Sequence, residues 1–277
     1  MSETRRVGDR RSNYMNAPQT ETVLITGASS GIGLELARCF AADGSRLILV
    51  ARNQKAMAAL AEELRGKNGV EVVVLPADLA LPETPKRIFE KLSAQNLNVD
   101  VLVNNAGFGA NGSFAEIALP TQLAMLQVNL TALMELTGRF LPGMIQRKRG
   151  GILNVGSVAG FVPGPGMAVY YATKAFVLSF TEALAEELQG TGVTISVLCP
   201  GPTESNFGSV ARGKKVRPMK TGKMTASAVA VYGHRAFRNG KITAVPGLQN
   251  KAFVMLNRIL PRQLPRKMVK LYNRTTD

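Results

Sequence analysis

From Thr22 onward, short runs of apolar and β-branched residues alternate with longer segments of helical periodicity. Nearly continuous Val, Ile and Leu is typical of strands that are covered on both faces of a parallel sheet. Alternation of strands and helices at this spacing predicts right-handed βαβ units. The predicted strands are TVLIT (22–26), RLILV (46–50), VEVVVLPA (70–77), VDVLVN (99–104), GILNVGS (151–157) and VTISVLCP (193–200), and the predicted helices span about 31–43, 53–66, 83–95, 119–146 and 168–189.

The expected fold is therefore α/β, with one doubly wound parallel sheet of about six to seven strands and helices on both faces. A chain of 277 residues, 45% of them hydrophobic, suits one such core better than two. Residues 1–20 lack hydrophobic periodicity and are expected to form a disordered leader before a single domain at 21–247. No run of 18 apolar residues occurs, so a membrane-spanning helix is not expected.

A glycine-rich turn follows the first predicted strand and leads directly into the first predicted helix. Glycines at this spacing allow a tight turn and a close approach to a pyrophosphate, which the N–H groups of the helix N-terminus can then bind. The alternative is a structural turn without a ligand, but the position between strand and helix favours a dinucleotide site. The candidate cofactor-binding residues of this turn are Gly27, Ser29, Ser30, Gly31, Ile32 and Gly33.

The end of the second strand indicates which dinucleotide is bound. NAD-binding sites place an acidic side chain here, which accepts hydrogen bonds from the ribose hydroxyls. This sequence has Arg52 instead, whose guanidinium suits a 2′-phosphate, so NADP(H) is favoured over NAD(H). The alternative is that Arg52 is a solvated residue at the start of a helix.

Tyr170 and Lys174 are four residues apart near the start of a predicted helix and so share one face. An isolated tyrosine has a pKa of about 10, and a neighbouring ammonium favours its phenolate form. Ser157, at the end of a predicted strand, has a hydroxyl that can hold a substrate oxygen. Tyr171 is expected to be a packing residue, because one residue further along a helix points about 100° away.

With these motifs in this order, the sequence resembles the short-chain dehydrogenase/reductase family over residues 22 to about 207. TGASSGIG (26–33) resembles the family's cofactor turn, and Asn129 in LQVNLTAL matches the fourth member of its catalytic tetrad. The resemblance implies a Rossmann fold. It also implies cofactor contacts by Asp78 and Leu79 at the adenine, by Asn105, Ala106 and Gly107 of NNAG, and by Pro200, Gly201, Thr203 and Ser205 at the nicotinamide carboxamide.

The family's chemistry is hydride transfer between nicotinamide C4 and a carbonyl or carbinol carbon. By resemblance, Tyr170 exchanges the proton of the substrate oxygen, and Lys174 supports its phenolate and binds the ribose hydroxyls. Ser157 would hold the substrate oxygen, and Asn129 would order a water of a proton relay. No metal is expected, and His234, the only histidine, is expected to be a surface or structural residue.

The net charge of +15 belongs almost wholly to the last quarter of the chain. Residues 208–277 contain 16 Lys or Arg and one acid, whereas residues 21–207 contain 14 and 16. Such a block indicates an anionic partner. The resemblance places a substrate lid at 206–224, and a helix followed by a last strand is expected at about 225–239 and 241–247.

Residues 248–277 form a basic amphipathic extension, in which apolar residues of 249–273 recur at helical spacing and Pro261 and Pro265 divide the run. Three interpretations stay open: the extension caps the substrate pocket or a dimer surface, lies on an anionic membrane, or docks an acidic partner protein. Nucleic-acid binding is not expected, because no recognition module is evident.

The predicted function is an NADPH-dependent oxidoreductase acting on a small, hydrophobic carbonyl compound or alcohol. The alternatives are a 3-oxoacyl thioester reductase and a non-catalytic NADP(H)-binding regulator. The long helices at 119–146 and 168–189 resemble those that pair subunits in the family, which implies a homodimer or homotetramer. Cys39 and Cys199 are far apart in the sequence and are expected to be reduced thiols in a cytoplasmic protein. The alternative location is the cytoplasm with peripheral contact to a membrane.

Overall fold

The computed structural model describes residues 20–204 and 223–273. The strands are β1 (Thr22–Thr26), β2 (Arg46–Ala51), β3 (Val72–Pro76), β4 (Val101–Asn104), β5 (Gly150–Val155), β6 (Val193–Leu198), β7 (Thr203–Glu204), β8 (Met224–Thr225) and β9 (Thr243–Ala244). A parallel seven-stranded sheet of these described residues has the order β3-β2-β1-β4-β5-β6-β9. The short strands β7 and β8 pair separately.

The helices are α1 (Gly31–Ala42), α2 (Gln54–Asn68), α3 (Thr84–Ala94), α4 (Leu119–Leu126), α5 (Ala132–Gln146), α6 (Ala168–Glu187), α7 (Ala226–Arg238), α8 (Leu248–Ile259) and α9 (Gln263–Asn273). A π-helical turn, Gln127–Thr131, joins α4 to α5, and a 3₁₀ turn, Val158–Phe161, follows β5. Among the described residues, no helix has the length and apolar character needed to cross a bilayer.

Both faces of the large sheet are buried, which explains the continuous apolar strands of the sequence. Along β1, Val23 and Ile25 pack into a core with α1, α2 and α7. Leu24, between them, packs on the other side with α3 and α5. Successive side chains of a strand point to opposite faces, so a strand covered twice needs apolar residues at every position. The predicted doubly wound parallel sheet is confirmed.

The order of the strands reverses beside β1. From β1 the chain builds outward through β2 and β3, and it then returns to place β4 on the other side of β1. In doubly wound sheets, a crevice opens beyond the carboxyl ends of the strands at such a reversal, and ligands bind there. The turns that follow β1, β2 and β4 all meet at this point.

Some predicted elements differ from the structure. The segment 119–146 is helical throughout but contains the π turn, which a 3.6-residue period does not reveal. The last strand is only Thr243–Ala244 rather than 241–247. The prediction that Pro265 interrupts the C-terminal helices is wrong, because Pro265 lies in the first turn of α9, where backbone N–H groups have no helical partner. Pro261 does lie between α8 and α9.

His234 has a structural environment, as expected from the sequence. Its Nε2 lies 2.9 Å from Asp43 Oδ2, and its ring meets the ring of Phe40 edge-on. Arg238, one turn further along α7, contacts both Asp43 and Glu21. These contacts attach α7 to the loop after α1 and to the start of β1, away from the crevice.

Candidate active site

A cleft of about 1350 Å³ opens at the carboxyl ends of the parallel strands. Most of the predicted site residues line it, namely Gly27, Ser29, Ser30, Gly31, Ile32, Arg52, Asp78, Leu79, Asn105, Ala106, Gly107, Ser157, Tyr170, Lys174, Pro200, Gly201 and Thr203. Gly33 and Asn129 are not among the lining residues. Ser205 and residues 206–222 of the predicted lid lie outside the described residues.

The turn between β1 and α1 has the geometry of an anion-binding turn. Gly27 and Gly31 have φ values of +67° and +58°, in the left-handed region that glycine adopts without steric penalty. The N–H of Gly27 donates to Val50 O at 2.8 Å, which ties the turn to the end of β2. Ser30, the N-cap of α1, makes no side-chain cap hydrogen bond to a described residue, so N–H groups of the first helical turn remain for a phosphate.

Asn105 holds this turn from the neighbouring strand end. Its Nδ2 donates to Thr26 O at 2.9 Å and to Gly27 O at 3.3 Å. The hydroxyl of Thr26 in turn accepts from the backbone N–H groups of Asn105 and Ala106, each at 3.0 Å. Gly33 lies beneath the turn, where a Cβ would collide with the Asn105 amide and come within 2.5 Å of Gly27 O. Gly33 therefore supports the turn by close packing instead of bordering the cleft.

The loops after β2 and β3 carry the residues predicted to hold the adenosine. Arg52 is exposed at the rim, just after β2, and Asn53 beside it caps α2 by accepting from Ala56 N at 3.0 Å. Asp78 Oδ1 accepts from Ala80 N at 2.9 Å, which fixes the loop after β3, and Leu79 is buried at the wall. The rim of β2 thus presents a guanidinium and no carboxylate.

Ser157 follows β5 after Gly156 and is fixed by local hydrogen bonds. Its Oγ accepts from Ala159 N at 3.1 Å and lies 3.4 Å from Pro200 O, to which it donates. Val158 N donates to the same carbonyl at 2.9 Å. The hydroxyl is therefore positioned between the ends of β5 and β6, at the floor of the cleft.

Tyr170 and Lys174 occupy successive turns of α6, and both are buried in the cleft wall. The Nζ of Lys174 donates to Val155 O at 2.7 Å and lies 5.9 Å from the centroid of the Tyr170 ring. Burial lowers the pKa of Lys174 to about 8. Burial also raises the pKa of the neighbouring Cys199 thiol to about 12, so Cys199 stays neutral. Of Lys174 and Cys199, only Lys174 is charged near neutral pH, as an ammonium.

The depressed pKa of Lys174 gives a testable pH dependence of stability. The pKa of Lys174 is about 8 in the folded chain, whereas a lysine in an unfolded chain has a pKa of about 10.4. At pH values between the two, the unfolded chain binds a proton that the folded chain has released. Folding therefore becomes more favourable as the pH rises through this range. We expect the free energy of unfolding of the wild type, relative to Lys174→Met, to rise by on the order of 2 kcal/mol across this range. Denaturant unfolding at a series of pH values measures it; a flat difference would show that Lys174 keeps its proton.

Asn129 lies in the π turn, and both its Oδ1 and its Nδ2 make hydrogen bonds within the protein. Its Oδ1 accepts from Phe108 N at 3.0 Å, and its Nδ2 donates to Phe108 O at 2.8 Å and to Thr173 Oγ1 at 3.2 Å. The side chain thereby joins the segment after β4 to α6, next to Lys174. This arrangement makes Asn129 a positioning residue, and its predicted role in ordering a relay water stays a prediction. π turns inside α-helices are frequent at functional sites.

Tyr171 differs from Tyr170 in its surroundings. Its ring fills the space beside Gly164, where a Cβ would collide with it, and its hydroxyl lies 3.5 Å from Asn273 Nδ2 at the end of α9. Tyr171 also borders the cleft. It packs as expected from the sequence, but it also connects α6 to the C-terminal helices.

The C-terminal helices form one wall of the cleft, and no residue of theirs was among the predicted site residues. Asn250 of α8 lies against Gly201, where it occupies the space of a Cβ. The side chains that α8 and α9 contribute to the lining are Gln249, Asn250, Phe253, Met268, Val269 and Tyr272. The helical spacing of apolar residues in 249–273 was the feature of the sequence that indicated these helices. It led to the interpretation that the extension caps the pocket, but it did not identify which of its residues line the cleft.

The fold and the cleft together define a class of protein: a doubly wound dinucleotide-binding protein with a serine, a tyrosine and a lysine at the carboxyl ends of β5 and β6. The site fits a nicotinamide dinucleotide, because a glycine turn with available N–H groups, an exposed guanidinium and the Tyr–Lys pair line one continuous cleft. The residues that line the cleft lie at or just after the carboxyl ends of all six strands from β1 to β6.

Comparison with known proteins agrees with this class. The family model of the short chain dehydrogenases matches residues 21–215. The ketoacyl reductase HetN of Nostoc sp. is 34% identical over 87% of this chain and 83% of its own. A short-chain dehydrogenase from Sphingobium yanoikuyae in complex with NADPH has a TM-score of 0.77 and 32% identity over 87% of this chain and 97% of its own. One from Burkholderia phymatum in complex with NAD has a TM-score of 0.77 and 26% identity over 93% and 97%.

The chain belongs to the short-chain dehydrogenase/reductase family. Proteins of this family are oxidoreductases that bind a nicotinamide cofactor and act on small molecules, and they typically form oligomers. The resemblance inferred from the sequence motifs is thereby confirmed.

Proposed function

We propose that this protein is an NADPH-dependent carbonyl reductase or alcohol dehydrogenase for a hydrophobic substrate. The observation that carries the proposal is the position of Ser157, Tyr170 and Lys174 in the same cleft as the glycine turn. A protein that only bound the dinucleotide would not need the three groups together at the substrate end. The non-catalytic regulator is therefore the weaker alternative.

A bound nicotinamide dinucleotide supplies or accepts the hydride; the chain's own residues handle the oxygen and its proton. The Tyr170 hydroxyl gives the proton to the substrate oxygen during reduction and takes it back during oxidation. The ammonium of Lys174, held by Val155 O, stabilises the phenolate that this exchange leaves on Tyr170. The Ser157 hydroxyl holds the substrate oxygen and stabilises the charge that develops on it.

Cofactor preference rests on Arg52 at the rim of β2. We expect Arg52→Ala to raise the KM for NADPH by roughly 10- to 100-fold, because a charge-assisted contact to the 2′-phosphate contributes about 1.5–3 kcal/mol. The KM for NADH should stay nearly unchanged. Steady-state kinetics with both cofactors measures the effect, with Lys55→Ala as the control, since this exposed lysine of α2 is outside the lining of the cleft. Equal loss with both cofactors would contradict a 2′-phosphate contact.

The substrate class is supported by apolar side chains in the lining of the cleft, which include Val162, Met167, Phe253 and Met268, and of these Met167 packs with Tyr170. A second candidate, a 3-oxoacyl thioester reductase, is supported by the similarity to a ketoacyl reductase. Oxidation of NADPH in the presence of apolar ketones, hydroxysteroid precursors and 3-oxoacyl thioesters separates the candidates. Absence of turnover with all of them, together with tight NADPH binding, would favour the regulator.

We also propose that the chain forms a homodimer or homotetramer through α4, α5 and α6. Support comes from large apolar side chains exposed on α4 and α5, among them Leu119, Leu123, Met134 and Ile145.

We further propose that residues 21–247 are the catalytic domain, with 206–224 as its lid, and that 248–277 are an extension. Both cysteines are unpaired, which supports a reducing compartment such as the cytoplasm.

A further inference from the structure

The helix α8 has two apolar faces, of which only one is buried. Val254 is covered by the body of the protein, whereas Leu248, Met255, Leu256 and Ile259 on the other side are exposed, with exposed fractions of 83% for Leu248 and 72% for Ile259. At 100° per residue, these four positions fall within an arc of about 100°. The outer side of α8 is thus a continuous apolar stripe.

The helix α9 repeats this arrangement and connects it to the cleft. Val269 is buried, and an exposed stripe within a similar arc consists of Leu264, Met268, Leu271 and Tyr272. Met268 and Tyr272 also line the cleft. The apolar surface of the C-terminal helices therefore continues into the opening of the active site.

Basic side chains border both stripes. From Leu248 to Asn273 the sequence contains no Asp or Glu. Within the described part of the chain, none of the basic residues of this segment forms an ion pair with a carboxylate. These residues are Lys251, Arg258, Arg262, Arg266, Lys267 and Lys270.

The orientation of α9 is set by contacts at its C-terminal end. Asn273 is buried, and its Nδ2 donates to Pro165 O at 3.0 Å. Its backbone O accepts from Asn111 Nδ2 at 3.3 Å. Because the loops that carry Asn111 and Pro165 lie next to the cleft, α9 is held with its apolar stripe outward. Its basic residues Arg266, Lys267 and Lys270 lie on the arc between the buried face and that stripe.

We propose that α8 and α9 form a docking surface for an anionic lipid bilayer, with the apolar stripes inserted at the interface. Helices with an exposed apolar stripe and a basic polar face lie in the plane of the membrane, and basic residues attract anionic headgroups. A second copy that docked through the same surface is a poor occupant, since it would bring together two sets of six cations, none of which forms an ion pair with a carboxylate of the described residues. A bilayer satisfies both the apolar and the cationic parts of the surface.

This docking has a consequence for the substrate, which rests on the proposed function. A bilayer contacting Met268 and Tyr272 lies at the opening of the cleft, so a carbonyl compound dissolved in lipid reaches Tyr170 without crossing water. The experiment below measures binding and not turnover. A protein that binds vesicles but lacks activity leaves the docking surface intact and contradicts only the proposed function.

The test is co-sedimentation of the full-length protein with phosphatidylcholine vesicles that contain about 30% phosphatidylserine, compared with phosphatidylcholine alone. We expect at least about tenfold more protein on the anionic vesicles at low salt, and a clear decrease at physiological salt. The charge variant is Arg266→Glu/Lys267→Glu/Lys270→Glu, and the apolar variant is Leu264→Gln/Leu271→Gln. Each should lower the bound fraction several-fold.

Matched controls separate a docking surface from general basicity. Lys67→Glu/Arg87→Glu/Lys91→Glu changes the net charge equally on exposed positions of α2 and α3, and Leu81→Gln removes an exposed leucine elsewhere. Both controls should bind vesicles like the wild type, with thermal unfolding used to verify that every variant is folded. The proposal is overturned if anionic vesicles bind no protein at low salt, if the charge control loses as much binding as the α9 variant, or if Leu264→Gln/Leu271→Gln dissociates an oligomer in light scattering.

Discussion

Tyr170→Phe is expected to lower kcat by about 10²- to 10⁴-fold, the usual contribution of a positioned proton donor. The substitution removes only the hydroxyl, so the buried ring keeps its packing against Met125, Ala159 and Met167. Lys174 keeps its hydrogen bond to Val155 O, because this bond does not involve the tyrosine. The affinity for the dinucleotide should therefore change little, and the loss should appear in turnover.

The matched control is Tyr171→Phe, which removes a hydroxyl from the adjacent residue of the same helix. That hydroxyl lies 3.5 Å from Asn273 Nδ2. We expect Tyr171→Phe to keep turnover within about a few-fold of the wild type, since the substitution keeps the ring that packs beside Gly164, and a neutral hydrogen bond contributes only about 1 kcal/mol. Steady-state kinetics and a fluorescence titration of NADPH measure both variants. Loss of turnover in Tyr171→Phe alone would show that the acid is misassigned.

Gly33→Ala is the second substitution with a large expected effect. A Cβ at this position would lie 2.5 Å from Gly27 O and would collide with the Asn105 amide, so the start of α1 would have to move away from the glycine turn. Overpacking of this kind costs about 1–3 kcal/mol of stability. The same movement separates the N–H groups of α1 from the turn. We expect the affinity for NADPH to fall by at least about tenfold.

Gly66→Ala is the control for this prediction. Gly66 also lies inside a helix, but apart from its chain neighbours and the nearby backbone of the same helix, no described atom is within 4 Å of the position that its Cβ would take. Alanine has the higher helix propensity, so Gly66→Ala should increase stability by up to about 1 kcal/mol and leave NADPH affinity unchanged. Thermal unfolding and cofactor titration of the two variants give the comparison. If both variants bind NADPH like the wild type, the close packing of Gly33 is not needed for the cofactor turn.

Local sequence was sufficient where local physics decides. The strand Thr22–Thr26 and the start of α1 at Gly31 follow from a continuous apolar run and a glycine turn, and their bounds agree with the structure within about one residue. The sequence predicts that the second helix ends at about residue 66, whereas α2 ends at Asn68, just before the left-handed cap residue Gly69. Helix ends fray, and their bounds are therefore predicted less closely. Periodicity thus located the core elements but not all of their ends.

The π turn at Gln127–Thr131 could not be predicted from periodicity. One extra residue in a helical turn hardly changes the pattern of apolar positions over 119–146. The turn is associated with contacts of Asn129 with Phe108 and Thr173, which lie 21 and 44 residues away along the chain. Contacts at this separation exist only after the strands have assembled.

The same distinction applies to the cleft. Residue types and spacing alone indicated the tyrosine, the lysine, the serine and the glycine turn, because each motif is short and its chemistry needs those side chains. The tertiary structure decided which wall stands opposite them. Phe253, Met268 and Tyr272 join the lining because Asn250 packs on Gly201 and Asn273 is held by Asn111 and Pro165.

By itself, then, the sequence determined the doubly wound fold and was enough to predict proton exchange at Tyr170, since burial on both faces of a sheet and proton exchange each require particular residue types at short spacing. Only the tertiary structure decided that Gly33 supports the turn, that Asn129 joins two elements, and that α8 and α9 line the cleft while also exposing apolar side chains to solvent. These properties depend on which distant segments touch, and packing in three dimensions sets those contacts.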